Sequence, residues 1–442
     1  MNYPMRVAIV GSGPSGFYAT EALLTAGIDV EVDMFERLPT PFGLVRHGVA
    51  PDHPKLKSIV ATYESIAADT RFSFFGNVEI GKQIEITDLL RCYHSAIIAV
   101  GAASDRKLGI PAEHLPGVHG ATAFVGWYNG HPDFRDLHFD FSHEAAVVIG
   151  HGNVAIDVCR ILLKPVDDLR HTDIAQHALE ALSQSRVREV HLIGRRDPSQ
   201  AKFSPKELRE LTELDNCTVS VDPTDLADHH NDGLTRGSTP AKNIEILRST
   251  LTTRRGSGRR CLIGFNMKPV EICGSDRVEA VRFLRTRCSM SASSTAPKVE
   301  IPAGLVIRSI GYQGSPLPGL PFDNQSKIIP HVEGRVQFNG ESALPVYVAG
   351  WIKRGPTGII GTNRVDSLAT VQRLIEDSPS FYLGPKPGFD GLKSQIVDHA
   401  TNAISFDKWH DIDAAERVRG EAIGKPREKF TRIEDMLRVA GR

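Results

Sequence analysis

"RVAIVGSGPSGFYATEALLTAGIDVEVDMFER", residues 6–37, decides the fold. An apolar run, Val7–Val10, ends in Gly11-Ser12-Gly13-Pro14-Ser15-Gly16. A helical stretch from Phe17 to Ala26 follows, then a second apolar run, Val30–Phe35, closed by Glu36. Gly11 and Gly13 allow a tight turn and close approach of backbone to a pyrophosphate. Gly16 lets the helix pack on the strand, and the helix N-terminus turns oriented N–H groups toward the anion. Glu36 stands where a carboxylate accepts hydrogen bonds from a ribose. A glycine turn alone says little; strand, loop, helix, strand and acid in this order predict a dinucleotide site.

The pattern recurs at "AAVVIGHGNVAIDVCRILL", residues 145–163, where Gly150-His151-Gly152-Asn153-Val154-Ala155 repeats the fingerprint with alanine third. After a mostly polar helical insertion (Asp167–Arg186), the next strand, Glu189–Ile193, runs into Gly194-Arg195-Arg196. An acid at that strand tip favours a free ribose 2′-hydroxyl. Two guanidiniums favour a 2′-phosphate through forked, charge-assisted hydrogen bonds, each worth about 1.5–3 kcal/mol. The pair predicts NADP rather than NAD.

Apolar strands ending in glycine, at 96–100 and within 304–312, mark crossovers between domains. The second nucleotide fold is thus inserted into the first, which resumes near "LPVYVAGWIKRGPTGIIGTNRVDSLATVQRLI", residues 344–375, with a helix from about Asn363. The expectation is an α/β chain of two nested Rossmann-like dinucleotide-binding domains, the NADP domain inserted into the first. The boundaries are placed at 1–103, 104–313 and 314–442. The stretch Asp222–Arg260 reads as a polar surface excursion. Near the C-terminus, Thr431 and Glu434 read as a capping box ahead of Ile433, Met436 and Leu437.

Bulk properties exclude several classes. With 442 residues, 52 Lys plus Arg against 53 Asp plus Glu, and a net charge of −1, the chain has no global attraction for nucleic acid or acidic membrane. Any electrostatic docking must be local. No apolar stretch reaches membrane-spanning length, and the first strand begins too early for a leader, so a cytoplasmic location is expected. The six cysteines (92, 159, 217, 261, 273 and 288) form no C-x-x-C pair and no cysteine–histidine spacing suited to a metal. They read as free thiols, and no metal is expected.

Together the nested fingerprints, "ERLPTPFGLVRHGVAPDHPKLK" (36–57), "GHGNVAIDVCRILL" (150–163), the Arg195-Arg196 pair with "KFSPKELREL" (202–211), and "AGWIKRGPTGIIGTN" (349–363) resemble the adrenodoxin reductase family over nearly the whole length. The resemblance implies a flavoprotein passing electrons from NADPH through FAD to an iron–sulfur ferredoxin. It implies Ser15, Glu36, Leu44 and Val78 around FAD, with Trp351 and Gly358-Ile359-Ile360 beside the isoalloxazine. Gly152, Asn153, Val154 and Ala155 would take the NADP pyrophosphate, Arg195 and Arg196 its 2′-phosphate, and Glu207 the nicotinamide end. The family pattern also implies that His53 and Glu210 face each other and relay the proton that accompanies electron delivery. The chain departs from the pattern at His47, where an aromatic residue is usual, at His151, where Gln or Asn is common, and at Pro205.

A ferredoxin partner is ordinarily acidic, so a local basic patch is expected. Its candidates are Lys206 and Arg209, with Arg248, Arg254, Arg255, Arg259 and Arg260 in the polar excursion. Other double-fold flavoproteins stand as alternatives. A disulfide reductase needs a cysteine pair that is absent. A glutamate-synthase-type electron-input subunit carries a cysteine-rich module not seen here, and a flavin monooxygenase would reveal itself by oxygen-dependent substrate oxidation. A non-catalytic nucleotide sensor is the alternative outside the enzymes.

Overall fold

A computed structural model describes residues 3–227, 235, 237–252, 258–286, 297–338, 344–393 and 402–441. The chain divides into two compact units, one of Met1–Ser104 with Tyr312–Arg442, the other of Asp105–Gly311. Both are α/β.

In the first unit, five parallel strands lie in the order Val346–Val348, Ser95–Ile98, Met5–Val10, Val30–Glu36 and Phe72–Gly76. A short antiparallel extension, His331–Val332 and Arg335–Val336, continues the edge beyond Val346–Val348. The first strand shows why near-continuous apolar runs form central parallel strands. Val7 and Ile9 enter one buried cluster, Ala8 and Val10 another, so both faces are covered. The fingerprint helix, Pro14–Leu24, starts on a proline that needs no N–H partner. Its neighbour Ile360–Asp377 begins three residues earlier than the sequence suggests, because Gly361 is tolerated in its first turn.

The main sheet of the second unit has six strands, all parallel, in the order Val118–Gly120, Leu305–Arg308, Ala145–Ile149, Glu189–Ile193, Arg259–Gly264 and Cys217–Val221. Ala146 and Val148 face the helical layer, while Val147 and Ile149 face an antiparallel three-stranded sheet, Met267–Cys273, Ala280–Arg285 and Lys298–Pro302.

Two expectations are corrected. The stretch 222–260 is not merely a surface excursion. It contains the helix Thr239–Ser249, capped by Ser238 Oγ, with Asn243, Ile244, Ile246 and Leu247 buried. Its few apolar residues, flanked by long polar ones, leave too weak a periodicity to read. The Thr431–Glu434 capping box does not form: the terminal helix is Ile433–Val439, its N-cap is Arg432, and no side chain caps it. Met436 nevertheless docks, fully buried. The five described cysteines carry no disulfide; Cys288 lies outside the described residues.

Candidate functional site

Each unit presents a glycine turn at the C-terminal edge of its sheet. In the first, Gly11 has φ +104°, and a Cβ there would lie 2.6 Å from the Ala99 carbonyl oxygen. A Cβ on Gly16 would lie 2.1 Å from the Gly11 carbonyl oxygen. Neither position admits a side chain. Gly13, by contrast, has nothing within 4 Å of its missing side chain, the open space a pyrophosphate requires. Glu36 is anchored beside it: Oε2 accepts from the Ser12 N–H (3.1 Å) and hydroxyl (2.7 Å), and Oε1 from the Leu38 N–H (3.1 Å). The buried Val78 donates its N–H to the Glu36 carbonyl at 2.9 Å. Leu44 stays 40% exposed at the start of the short helix Leu44–His47.

The returning half of this unit completes the cradle. Gly350, at φ +76°, abuts Ser15, where a Cβ would meet Oγ at 2.1 Å. Next to it Trp351 stacks on Tyr312 with centroids 5.6 Å apart, and its buried indole N–H has no hydrogen-bond partner among the described residues. Gly358 (φ +85°) leads into Ile359, which is 73% exposed although apolar, and Ile360 opens the long helix. An orphaned indole donor, an uncovered Ile359 and open space at Gly13 fit a flat polar-edged ring with a pyrophosphate tail.

The sequence reading missed what holds this loop. Asp366 Oδ2 accepts the Gly350 N–H at 2.6 Å, and Oδ1 pairs with Lys353 Nζ at 3.0 Å. Lys353 is itself buried and bonds Thr370 Oγ1 at 2.9 Å. Partners from a short turn and a long helix carry no shared periodicity, so no local signal marked them. His53 also belongs to this unit; it is buried and opens the short helix Pro54–Lys57 as its N-cap.

In the second unit, Gly150 has φ +132° and a Cβ there would meet the Ser309 carbonyl oxygen at 2.0 Å, while Gly152 again faces open space. Asn153 Oδ1 accepts the Ser204 N–H at 2.8 Å, Val154 packs at the edge of the core, and Ala155 is fully buried in the position of the third glycine. His151 is half-buried: its Nε2 is 3.2 Å from the Leu192 carbonyl, its ring packs between Phe203 and Phe265, and burial lowers its pKa to about 4.

Arg195 and Arg196 are exposed at the strand tip, and neither has a carboxylate partner among the described residues. Arg160 is the opposite case. It is 2% exposed and faces three carboxylates: Glu210 at 2.9 Å, Glu207 at 3.4 Å and Asp157 at 3.1 Å. Glu207 and Glu210 share a face of the helix Pro205–Thr212, and Arg160 gathers them. The i, i+3 pair Asp157–Arg160 was a readable signal for it.

Among the basic-patch candidates, Arg259 donates to the Leu163 and Lys164 carbonyls (2.8 and 2.7 Å), Arg260 pairs with Glu189 (2.5 Å), and Lys206 lies 3.6 Å from Glu210. Arg209 and Arg248 lie on described helices, and Arg254 and Arg255 fall outside the described residues.

No protein-family model matches the chain. Curated relatives do. The NADPH-ferredoxin reductase FprA of Mycobacterium leprae is 45% identical over 450 residues, covering 98% of each chain. The mitochondrial NADPH:adrenodoxin oxidoreductase of Homo sapiens is 40% identical over 457 residues, covering 99% of this chain and 92% of that one. Among solved structures, Mycobacterium tuberculosis FprA in complex with NADPH superposes with a TM-score of 0.93 at 45% identity, covering 99% and 100% of the two chains.

Proposed function

The chain belongs to the family of NADPH-ferredoxin reductases and NADPH:adrenodoxin oxidoreductases, and from that premise we propose how its own residues perform the reaction. The protein is an NADPH- and FAD-dependent oxidoreductase that passes electrons to an iron–sulfur ferredoxin. When bound, FAD supplies the exchange between two-electron hydride chemistry and one-electron delivery.

The residues divide the work by unit. In segments 1–103 and 314–442, Gly11, Gly13, Ser15 and Gly16 hold the FAD pyrophosphate, Glu36 its ribose, and Leu44 and Val78 flank it. Trp351 and Gly358-Ile359-Ile360 lie beside the ring. There, backbone without bulky side chains approaches closely, excludes water and presents N–H groups to a polar edge. In segment 104–313, Gly152, Asn153, Val154 and Ala155 hold the NADP pyrophosphate, Arg195 and Arg196 clasp the 2′-phosphate, and Glu207 orients the nicotinamide end. His53 and Glu210 hold and pass the proton that accompanies electron delivery. Arg160, by pairing with Glu207 and Glu210, holds both carboxylates in place on their helix face.

The observation that carries the reading is the exposed Arg195-Arg196 tip, with no carboxylate partner among the described residues, beyond a glycine turn that offers open space. Two fixed cations without carboxylates are a site for an added phosphate. The partner is read as an acidic ferredoxin meeting a local basic patch, and the location as cytoplasmic, in keeping with free thiols. Anaerobic titration of the purified protein with NADPH tests the scheme. The yellow flavin band should bleach at about one equivalent and recover on adding oxidised ferredoxin. A band that bleaches equally well with NADH, or does not recover with any ferredoxin, would refute it.

A further inference from the structure

The tip that carries Arg195 and Arg196 does not support itself. Gly194 donates its N–H to the Gly264 carbonyl (2.9 Å) and accepts from the Met267 N–H (3.0 Å), and the Arg196 carbonyl accepts from the Asn266 N–H (3.1 Å). Three bonds thus fasten it to the turn between the strands Arg259–Gly264 and Met267–Cys273. That turn is unusual in its backbone: Asn266 has φ +53°, and its carbonyl accepts from Thr286 N–H (2.7 Å) and Oγ1 (3.1 Å).

Behind the turn stands a charge pair. The buried Phe265 N–H donates to Asp225 Oδ2 at 3.1 Å. Asp225 is 0% exposed, and its Oδ1 accepts from Arg285 Nη1 at 3.1 Å, while Arg285 Nη2 reaches Asp222 at 3.0 Å. A buried carboxylate is costly unless paired, and here one of its two oxygens is spent on the turn.

We propose that Asp225 and Arg285 are positioning residues for coenzyme discrimination: they fix the Phe265–Met267 turn and, through it, the backbone from which Arg195 and Arg196 project. The inference rests on the reading of that arginine pair as the 2′-phosphate clasp. Its physical reason is that, among the described residues, no carboxylate holds those two side chains before coenzyme arrives. Preorganisation must then come from the backbone, and a misplacement on the order of 1 Å costs heavily in a forked contact.

The test uses the FAD-loaded protein and two fragments without nicotinamide, 2′,5′-ADP and 5′-AMP, with affinities measured by calorimetry. Asp225→Asn and Arg285→Gln should each raise the Kd for 2′,5′-ADP about tenfold and leave that for 5′-AMP within about twofold. Arg285→Lys should restore part of the loss. With NADPH the effect should fall on KM rather than kcat, and flavin content should hold. Parallel weakening of both fragments, or unchanged 2′,5′-ADP affinity in these folded variants, would overturn the proposal. If Arg285→Gln does not fold, the near-isosteric Asp225→Asn decides. Parent protein that cannot tell 2′,5′-ADP from 5′-AMP would instead refute the clasp itself, a separate outcome.

Discussion

Arg195 and Arg196 look alike in sequence to any solvated charged pair; what singles them out is their place at a strand tip beyond Gly150 and Gly152. If the pair clasps the 2′-phosphate, replacing both by alanine removes charge-assisted bonds worth about 1.5–3 kcal/mol each. The KM for NADPH should rise by two orders of magnitude or more, while NADH turnover stays level; equal losses with both coenzymes would show the pair to be structural. His151 makes a different prediction. Its ring is held neutral because burial lowers its pKa to about 4, below an unfolded value of about 6.5. The unfolded chain therefore takes up a proton between those values that the fold refuses. Stability from this residue is full above about pH 6.5 and falls as pH drops toward 4, by on the order of 3 kcal/mol. His119 and His177 are pushed down to about 4 as well, chiefly by burial. Melting temperature followed against pH should thus fall less steeply in His151→Gln than in the parent protein, and parallel curves would contradict the assignment.

At the scale of elements, the helix Phe406–Glu421, which precedes the terminal one, shows how distant sequence buttresses a site. Glu416, 0% exposed, grips Arg46 through two bonds of 2.9 and 2.5 Å, and Arg46 stacks over Trp409 at 5.0 Å from the ring centroid. The helix thereby pins Leu44–His47, the segment expected beside FAD. Removing one member of a buried pair leaves an uncompensated charge, so Glu416→Ala should destabilise the first unit by about 3–5 kcal/mol. Chemical denaturation would show this, together with loss of flavin at lower denaturant; a change under about 1 kcal/mol would mean the pair is no anchor. The nucleotide-binding elements themselves were legible, since each fingerprint is a local pattern of backbone freedom and apolar period. Thr239–Ser249 was not, because a helix with one short apolar stripe is stabilised by the core it joins more than by its own residues.

For the molecule as a whole, a net charge of −1 forbids strong long-range attraction and leaves ferredoxin recognition to a local field. Two of the excursion arginines are weakened as candidates, because Arg259 is spent on helix-end carbonyls and Arg260 on Glu189. If a basic patch does dock an acidic ferredoxin, its KM should climb steeply as ionic strength passes about 0.1 M, where the screening length falls to about 10 Å. NADPH oxidation by a neutral dye should stay flat over the same range. A ferredoxin KM insensitive to salt would remove electrostatic docking.

Sequence by itself determined the two glycine turns, the acid at residue 36, the arginines at 195 and 196, and the return of the chain near 344, because each is written within about thirty contiguous residues. Tertiary structure alone decided what holds them: Glu416 against Arg46, 370 positions apart, Asp366 under Gly350, Arg160 among three carboxylates, and Asp225 with Arg285 behind the coenzyme turn. Those partners are chosen by burial, where a charge must find its counter-charge wherever the fold supplies one. That demand leaves no periodic mark on a chain read from end to end.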